Sequence, residues 1–357
     1  MQHKLVMLML SVVVALSLVF VGCVPETVSP PEVTPPEPEE VPPEEVPPPE
    51  KPIELTLSTM FPLSYTYIVN PTFAFCEKVE ERTNGRVKFL IYHSAQLYGG
   101  KEEFAAVGRG DIDVGIPHDI YHTGEVPALG ISSLPFLFES MEEAQRILDA
   151  GLKDMVRPKV EEGNNCVLLG WTVFDPYQFY CKAPVKTAED VKGKVWAVSG
   201  TTHSKAIELL AGSPVMMSSG ELYLALQMAT IDGCTRPLIT GRGRKLYEVA
   251  EYLTICGFSP WGDLLIVNKA KWDTFPSDIQ QIMRRAGIEW QEEMFKEAAA
   301  YVDESIDILT KEGMTVHFLS PEELARFREG MAPVYDWWLK EEVPDGQQYL
   351  DFVEAHR

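Results

Sequence analysis

Residues 276–310 contain no internal proline and one internal glycine, Gly287, and set aliphatic and aromatic side chains at helical spacing behind Ser277, a natural helix cap. The pattern predicts a helix of about 30 residues, roughly 45 Å long at 1.5 Å per residue, long enough to run across two lobes. Ahead of it, strand and helix alternate. Residues 53–58, IELTLS, have period two; 72–82 carry helical spacing until Asn84 and Gly85 break it; 87–92 form a second strand. A short helix over 102–107 leads into the buried-strand pattern IDVGI at 112–116, closed by Pro117. Ser140 with Glu143 and Ser218 with Glu221 have capping-box spacing, which starts a helix at each. Residues 166–173 and 177–182 flank Asp175 and Pro176 as two strands that either pair or cross between lobes. The fold class is therefore α/β, with two doubly wound lobes, each a sheet flanked by helices, a cleft between them and the long helix spanning both. Lobe one is expected over 53–173 plus 262–300, and lobe two over 174–261 plus 301–357.

The N-terminal end sets the compartment. Lys4 precedes a run that is apolar from 5 to 21 apart from Ser11 and Ser17 and ends at Gly22 and Cys23. That is shorter than the about 20 residues of a bilayer span and suits a secretory signal over 1–22. The tetrapeptide FVGC resembles a lipoprotein signal, in which Cys23 is lipidated, although Phe20 stands where leucine is usual. The alternative, a retained anchor helix, also leaves the rest outside the cytoplasm. Residues 23–52 are rich in proline and glutamate and hold almost nothing that could enter a core. They read as a stiff polyproline II tether, reaching on the order of 90 Å at about 3.1 Å per residue.

Of the formal net charge of −22, residues 1–52 carry eight glutamates and two lysines, leaving −16 on residues 53–357. Such a surface repels nucleic acid and anionic lipid. One buried arginine in a closed cleft can still outweigh distant, screened surface charge. Beyond Cys23 there are five cysteines, an odd number, so at least one stays free or pairs between molecules. If 166–173 and 177–182 pair about the Asp175–Pro176 turn, Cys166 and Cys181 fall opposite one another and form a disulfide; otherwise they are two buried thiols.

Catalytic signatures are absent: there is no GxSxG elbow, no HExxH and no CxxC, and the GxG at 241–243 lacks the third glycine of a dinucleotide turn. No enzyme activity and no cofactor are expected. His118 and His122 stand four apart, but Pro117 and Gly124 flank them and a third ligand is missing, so no metal site is expected either. Tyr65, Tyr67, Trp171, Phe174, Tyr177, Trp196, Phe258 and Trp261 are core residues taken singly. As a set, several fall in loops after strands, where open α/β sheets bind small molecules in apolar pockets with a few fixed polar groups.

The stretch from 187 to 237 carries the strongest likeness. DVKGKVW at 190–196 and ELYLALQMATIDG at 221–233 resemble the DLKGKKIR-like and EVYxALQxGxxDG runs of the substrate-binding proteins of tripartite ATP-independent periplasmic (TRAP) transporters, the DctP type. The likeness extends over nearly all of 53–338, through CEKVEERTNGRVKFLIYHSAQLYGG, GRGDIDVG, SLPFLF and SDIQQIMRRAGIEWQEEMF, in the family's order. It implies a two-lobed periplasmic-binding-protein fold, a small organic ligand that bears a carboxylate, and membrane permease subunits driven by an ion gradient. A homodimer also occurs in the family. Two other functions stay open: a receptor for an ATP-driven importer, or an extracytoplasmic enzyme acting on a small organic acid.

Where the family usually has the arginine that pairs with a ligand carboxylate, this chain has Trp196, and where the family usually has asparagine it has Arg236. The resemblance then implies that Arg236 clamps the carboxylate, Trp196 stacks on the ligand body, Ser199 offers a hydroxyl and His118, just past a strand end, makes a polar contact. Glu221 is placed with this set. The alternative for Arg236 is an internal salt bridge to Glu221 or Asp232.

Overall fold

The structure is a computed structural model and describes residues 51–357. The expected signal, Cys23 and the tether up to residue 50 lie outside the described residues. Strands β1 (Ile53–Ser58), β2 (Val87–Tyr92), β3 (Val114–Gly115) and β4 (Cys166–Phe174) belong to a first sheet. Strands β5 (Tyr177–Cys181), β6 (Val195–Val198), β7 (Ser213–Met216), β8 (Gly233–Pro237) and β9 (Tyr252–Ile255) belong to a second. β10 (Trp261–Asn268) returns to the first sheet and β11 (Thr315–Phe318) to the second. The orders are β2-β1-β3-β10-β4 and β11-β9-β5-β8-β6-β7.

Only Asp175 and Pro176 separate β4 from β5, yet the two strands lie in different sheets. Asp175 takes a φ of +36°, and its carboxyl accepts hydrogen bonds from Leu238 N at 3.0 Å and Ile239 N at 2.8 Å. That ties the crossover to the start of the helix Leu238–Gly243. The pairing of these strands is thereby excluded, and the Cys166–Cys181 disulfide with it. The Cys166 thiol donates to Val160 O and the Cys181 thiol to Asp232 O, in separate lobes. All five described cysteines are free and buried, and burial pushes the Cys166 thiol up to about 12.

The long helix runs over Ser277–Lys311, 35 residues. Its first half lies on the first sheet. Gly287 permits the approach, because a Cβ there would come within 2.9 Å of both Leu169 Cβ and Leu169 O. Glu289 accepts a forked pair of hydrogen bonds from Arg82, at 2.9 and 2.8 Å, which fastens the helix to the helix Thr66–Arg82. Its second half belongs to the other lobe: Arg242 donates to Tyr301 O and Ser305 Oγ, each at 3.2 Å, with its guanidinium 3.6 Å over the Tyr301 ring. One rigid element thus contacts both sheets.

The C-terminal end departs from the expected division. β11 joins the second sheet, and Phe327 packs 5.7 Å from Phe179 between ring centroids. The chain then crosses back to the first lobe. Tyr335 Oη donates to Pro135 O at 2.8 Å, Trp338 Nε1 to Pro127 O at 3.2 Å and Arg357 to Leu137 O at 2.7 Å. Helical periodicity specifies which face of this tail is apolar but not which lobe receives it.

Candidate functional site

The carboxyl ends of β1, β3, β6 and β8 and the start of β10 meet between the sheets, the usual place for a ligand in α/β architecture. The lobes are closed over it. Tyr121 Oη lies 3.0 Å from Ser219 Oγ, Ser133 Oγ 2.7 Å from Thr202 Oγ1, and Thr123 Oγ1 accepts from Thr201 N at 3.1 Å. Gly200 sits in this seam, where a Cβ would fall 2.1 Å from Ile120 O.

Arg236 is fully buried on β8. Its Nη1 donates to Thr235 O at 2.6 Å and Ala197 O at 3.3 Å, and its Nη2 to Met217 O at 2.6 Å and Val198 O at 3.4 Å. Its Nε has no partner. Neither proposed counter-ion reaches it: the Glu221 carboxylate is held by Ser218 N at 2.8 Å and Ser218 Oγ at 2.7 Å, and Asp232 accepts from Val195 N at 2.7 Å. An unpaired buried charge costs several kcal/mol, so carbonyl dipoles alone are poor compensation. The arrangement suits an anion arriving from the cleft.

His118 joins the lobes beside it. Burial lowers its imidazole to about 4, so the ring is neutral and has one proton to give. Nδ1 lies 2.6 Å from the Gly262 carbonyl, which can only accept, so the proton sits there. Nε2 then accepts from the Tyr177 hydroxyl at 2.9 Å, and Tyr177 Oη lies 3.0 Å from Ser199 Oγ. Trp261 packs on His118 at 4.4 Å and on Phe61 at 5.8 Å between centroids; Phe174 packs 6.0 Å from Trp261 and 5.4 Å from Tyr67, and Phe61 lies 5.6 Å from Tyr65. Phe258 lies behind Tyr177, 6.0 Å away. Tyr65, Tyr67, Phe174, Tyr177, Trp261, His118, Ser199 and Arg236 are thus brought together at the interlobe region, with Phe258 supporting them.

Three expected site residues stand elsewhere. Trp171 faces the opposite side of the first sheet from Trp261, donating from Nε1 to the buried Asp119 at 3.0 Å, because successive strand residues alternate faces. Glu221 is exposed, its carboxylate held by Ser218; the capping box expected there does not form, because Glu221 N donates to Ser218 O instead of Oγ, and the helix starts only at Leu222. Trp196 is buried away from the interlobe region. Its Nε1 donates to Val191 O at 3.0 Å and its ring packs 5.3 Å from Phe179, inside the second lobe. Trp196→Ala is accordingly expected to cost about 3–5 kcal/mol in chemical denaturation while changing ligand affinity by less than about threefold.

Several residues with a claim on the cleft escaped the sequence reading. Asp263 interrupts the apolar run WGDLLIV, and a lone charge in a fully buried strand was the available signal. His203 bonds Ser259 Oγ through Nε2 at 2.7 Å and packs 4.4 Å from Tyr177, but nothing local marks it. Arg244, whose Nε is buried without a partner, lies 5.6 Å over the Tyr65 ring. Gly200 gives no signal beyond being glycine.

The chain matches the pattern of the family described as bacterial extracellular solute-binding protein, family 7, over residues 64–342. It is similar to the 2,3-diketo-L-gulonate-binding periplasmic protein of Escherichia coli, 26% identical over 284 residues that cover 78% of this chain and 85% of that one. In fold it resembles a TRAP periplasmic solute-binding protein of Chromohalobacter salexigens with bound D-glucuronate, with a TM-score of 0.80 at 24% identity, covering 85% of this chain and 100% of that one. It likewise resembles a Bordetella pertussis extracytoplasmic solute receptor binding pyroglutamic acid, with a TM-score of 0.79 at 23% identity, covering 84% and 99%.

Proposed function

The chain belongs to the bacterial extracellular solute-binding proteins of family 7, and from that premise we propose that it is a TRAP receptor that captures an organic carboxylate by lobe closure. Arg236 carries this reading: a buried cation without a counter-ion, beside the seam where the two lobes meet. With its Nη groups on main-chain carbonyls, Arg236 offers a carboxylate its positive charge and its free Nε–H, a charge-assisted hydrogen bond. The diketogulonate, glucuronate and pyroglutamic acid named for its relatives are all acids, which supports the same ligand class. Tyr65, Tyr67, Phe174 and Trp261 line the ligand body, and His118, Tyr177 and Ser199 form a polar bridge between the lobes at its edge.

Closure rather than catalysis is the working step. A ligand that touches both walls binds the closed state better than the open one, and that difference sets the shift. The closed receptor then presents its cargo to integral membrane permease subunits, held near them by a lipid on Cys23. The test is mass spectrometry of the compound released when freshly purified protein is denatured. A carboxylic acid is expected, and it should be recovered intact after prolonged incubation with the native protein. Release of a compound without a carboxyl group would sink the carboxylate reading, and its conversion during incubation would replace the receptor by an enzyme.

A further inference from the structure

Asp263 is fully buried, and among the described residues neither of its carboxyl oxygens has a hydrogen-bond partner. Strand alternation sets it on the same face of β10 as Trp261, among the residues that bound the cleft. His118 Nδ1 comes within 3.3 Å of Asp263 Oδ1, but its proton is taken by the Gly262 carbonyl. The Tyr67 hydroxyl is also buried and unpartnered, and Trp261 Nε1, outside ordinary bonding geometry, stands near enough to Asp263 to offset a little of what burial does to its carboxyl. Native proteins leave few buried polar groups unsatisfied, and a carboxyl with both oxygens bare is among the more costly to leave.

Asp263 and Arg236 are complementary in this respect. One side of the site holds a cation bonded only to main-chain carbonyls, with no counter-ion and a free Nε–H; the other holds an acid whose oxygens accept no bond of ordinary geometry. His118 stands between them, close to Asp263 through one edge and bonded through the other to Tyr177, whose hydroxyl lies beside Ser199. Ser199 follows Val198, whose carbonyl Arg236 engages. A ligand with a carboxylate alone would satisfy half of this arrangement.

Resting on the carboxylate reading above, we propose that the ligand is dipolar, an organic acid that also presents an N–H group, ammonium or amide, with its carboxylate on Arg236 and its N–H on Asp263. Burial holds the Asp263 carboxyl well above the ordinary carboxylate range. A cationic donor would restore its charge, and an amide N–H would satisfy one of its oxygens.

The test uses acids matched in shape and differing at one position, titrated calorimetrically into the full chain after bound ligand has been removed. The pairs are proline with tetrahydrofuran-2-carboxylate, pipecolate with tetrahydropyran-2-carboxylate, and the five-membered lactam acid with its lactone counterpart. In at least one pair the N–H acid is expected to bind about tenfold or more tightly than its oxygen analogue. In Asp263→Asn that ratio is expected to fall toward one. Equal affinity within every pair that binds would overturn the proposal, as would a ratio unchanged in the variant. If the variant does not fold, the wild-type ratios decide. If no pair binds, the compound released from the purified protein decides: a carboxylic acid bearing an N–H supports the proposal, and one lacking it overturns the proposal while leaving the carboxylate reading in place.

Discussion

Arg236→Met is expected to weaken ligand binding by about a hundredfold or more, since removing one partner of a buried, hydrogen-bonded charge pair costs roughly 2–5 kcal/mol. Methionine keeps much of the side chain's length while deleting its charge. The stability of the ligand-free protein is expected to stay about level, because the native arginine is buried without a counter-ion and the desolvation cost removed with its charge offsets the loss of its four bonds to main-chain carbonyls. The two signs separate the readings. A structural arginine would lower the melting temperature of the ligand-free protein and leave the affinity of the folded fraction alone. Arg236→Lys should fall between wild type and Met, since an ammonium keeps the charge but cannot both hold the four carbonyls and aim a further N–H at the ligand. Calorimetric titration with the identified ligand, beside thermal unfolding without it, reads both quantities. An affinity within a few-fold of wild type in the Met variant would remove Arg236 from the site.

Gly200→Ala is the second large effect, and it works on closure rather than contact. The backbone at Gly200 is extended, with φ −155° and ψ −172°, so alanine is locally acceptable there. The obstacle is the other lobe: the added Cβ would stand 2.1 Å from Ile120 O and 2.7 Å from Thr123 Oγ1. Separating the lobes relieves both contacts, so the open form should fold normally. The variant is expected to lose the ligand-induced fall in radius of gyration in small-angle scattering and to bind about tenfold or more weakly. Its unfolding temperature without ligand should stay close to wild type. A compaction and an affinity equal to wild type would mean that the seam between Gly200 and Ile120 is not required for binding.

How much of this was legible in the sequence depended on the range of the interactions involved. The long helix was readable because its signal is local: helical spacing with a single internal glycine marks Ser277–Lys311, although Ser277 is its first residue and not its cap, Pro276 holding the N-cap position with no side-chain bond. The helix start at Ser140 likewise appears, Glu143 N donating to Ser140 Oγ at 3.1 Å, although the Glu143 side chain returns to Glu139 N and the box does not close. The strands about Asp175 show the limit. Their composition was clear, but the choice between pairing and crossing rested on the carboxyl of Asp175 meeting Leu238 N and Ile239 N, more than sixty residues away. Of the two alternatives for Cys166 and Cys181, the disulfide fell with that choice and the two buried thiols stood. Trp196 and Arg236 differ in the same way. Both were singled out as departures from a familiar pattern, yet one side chain turns into the second lobe and the other toward the seam.

Sequence alone determined the elements, their order, the two-lobed α/β class and the family, because periodicity, capping and ordered motifs are properties of neighbouring residues. Tertiary structure decided which side chains share the cleft. Trp171 and Trp261 are both buried tryptophans on adjacent strands, and only the registration of β4 against β10 sets them on opposite faces. Asp263, Arg236 and Gly200 matter for the partners they lack or approach, and those partners belong to chain segments far away in sequence, where no local pattern can specify the distance.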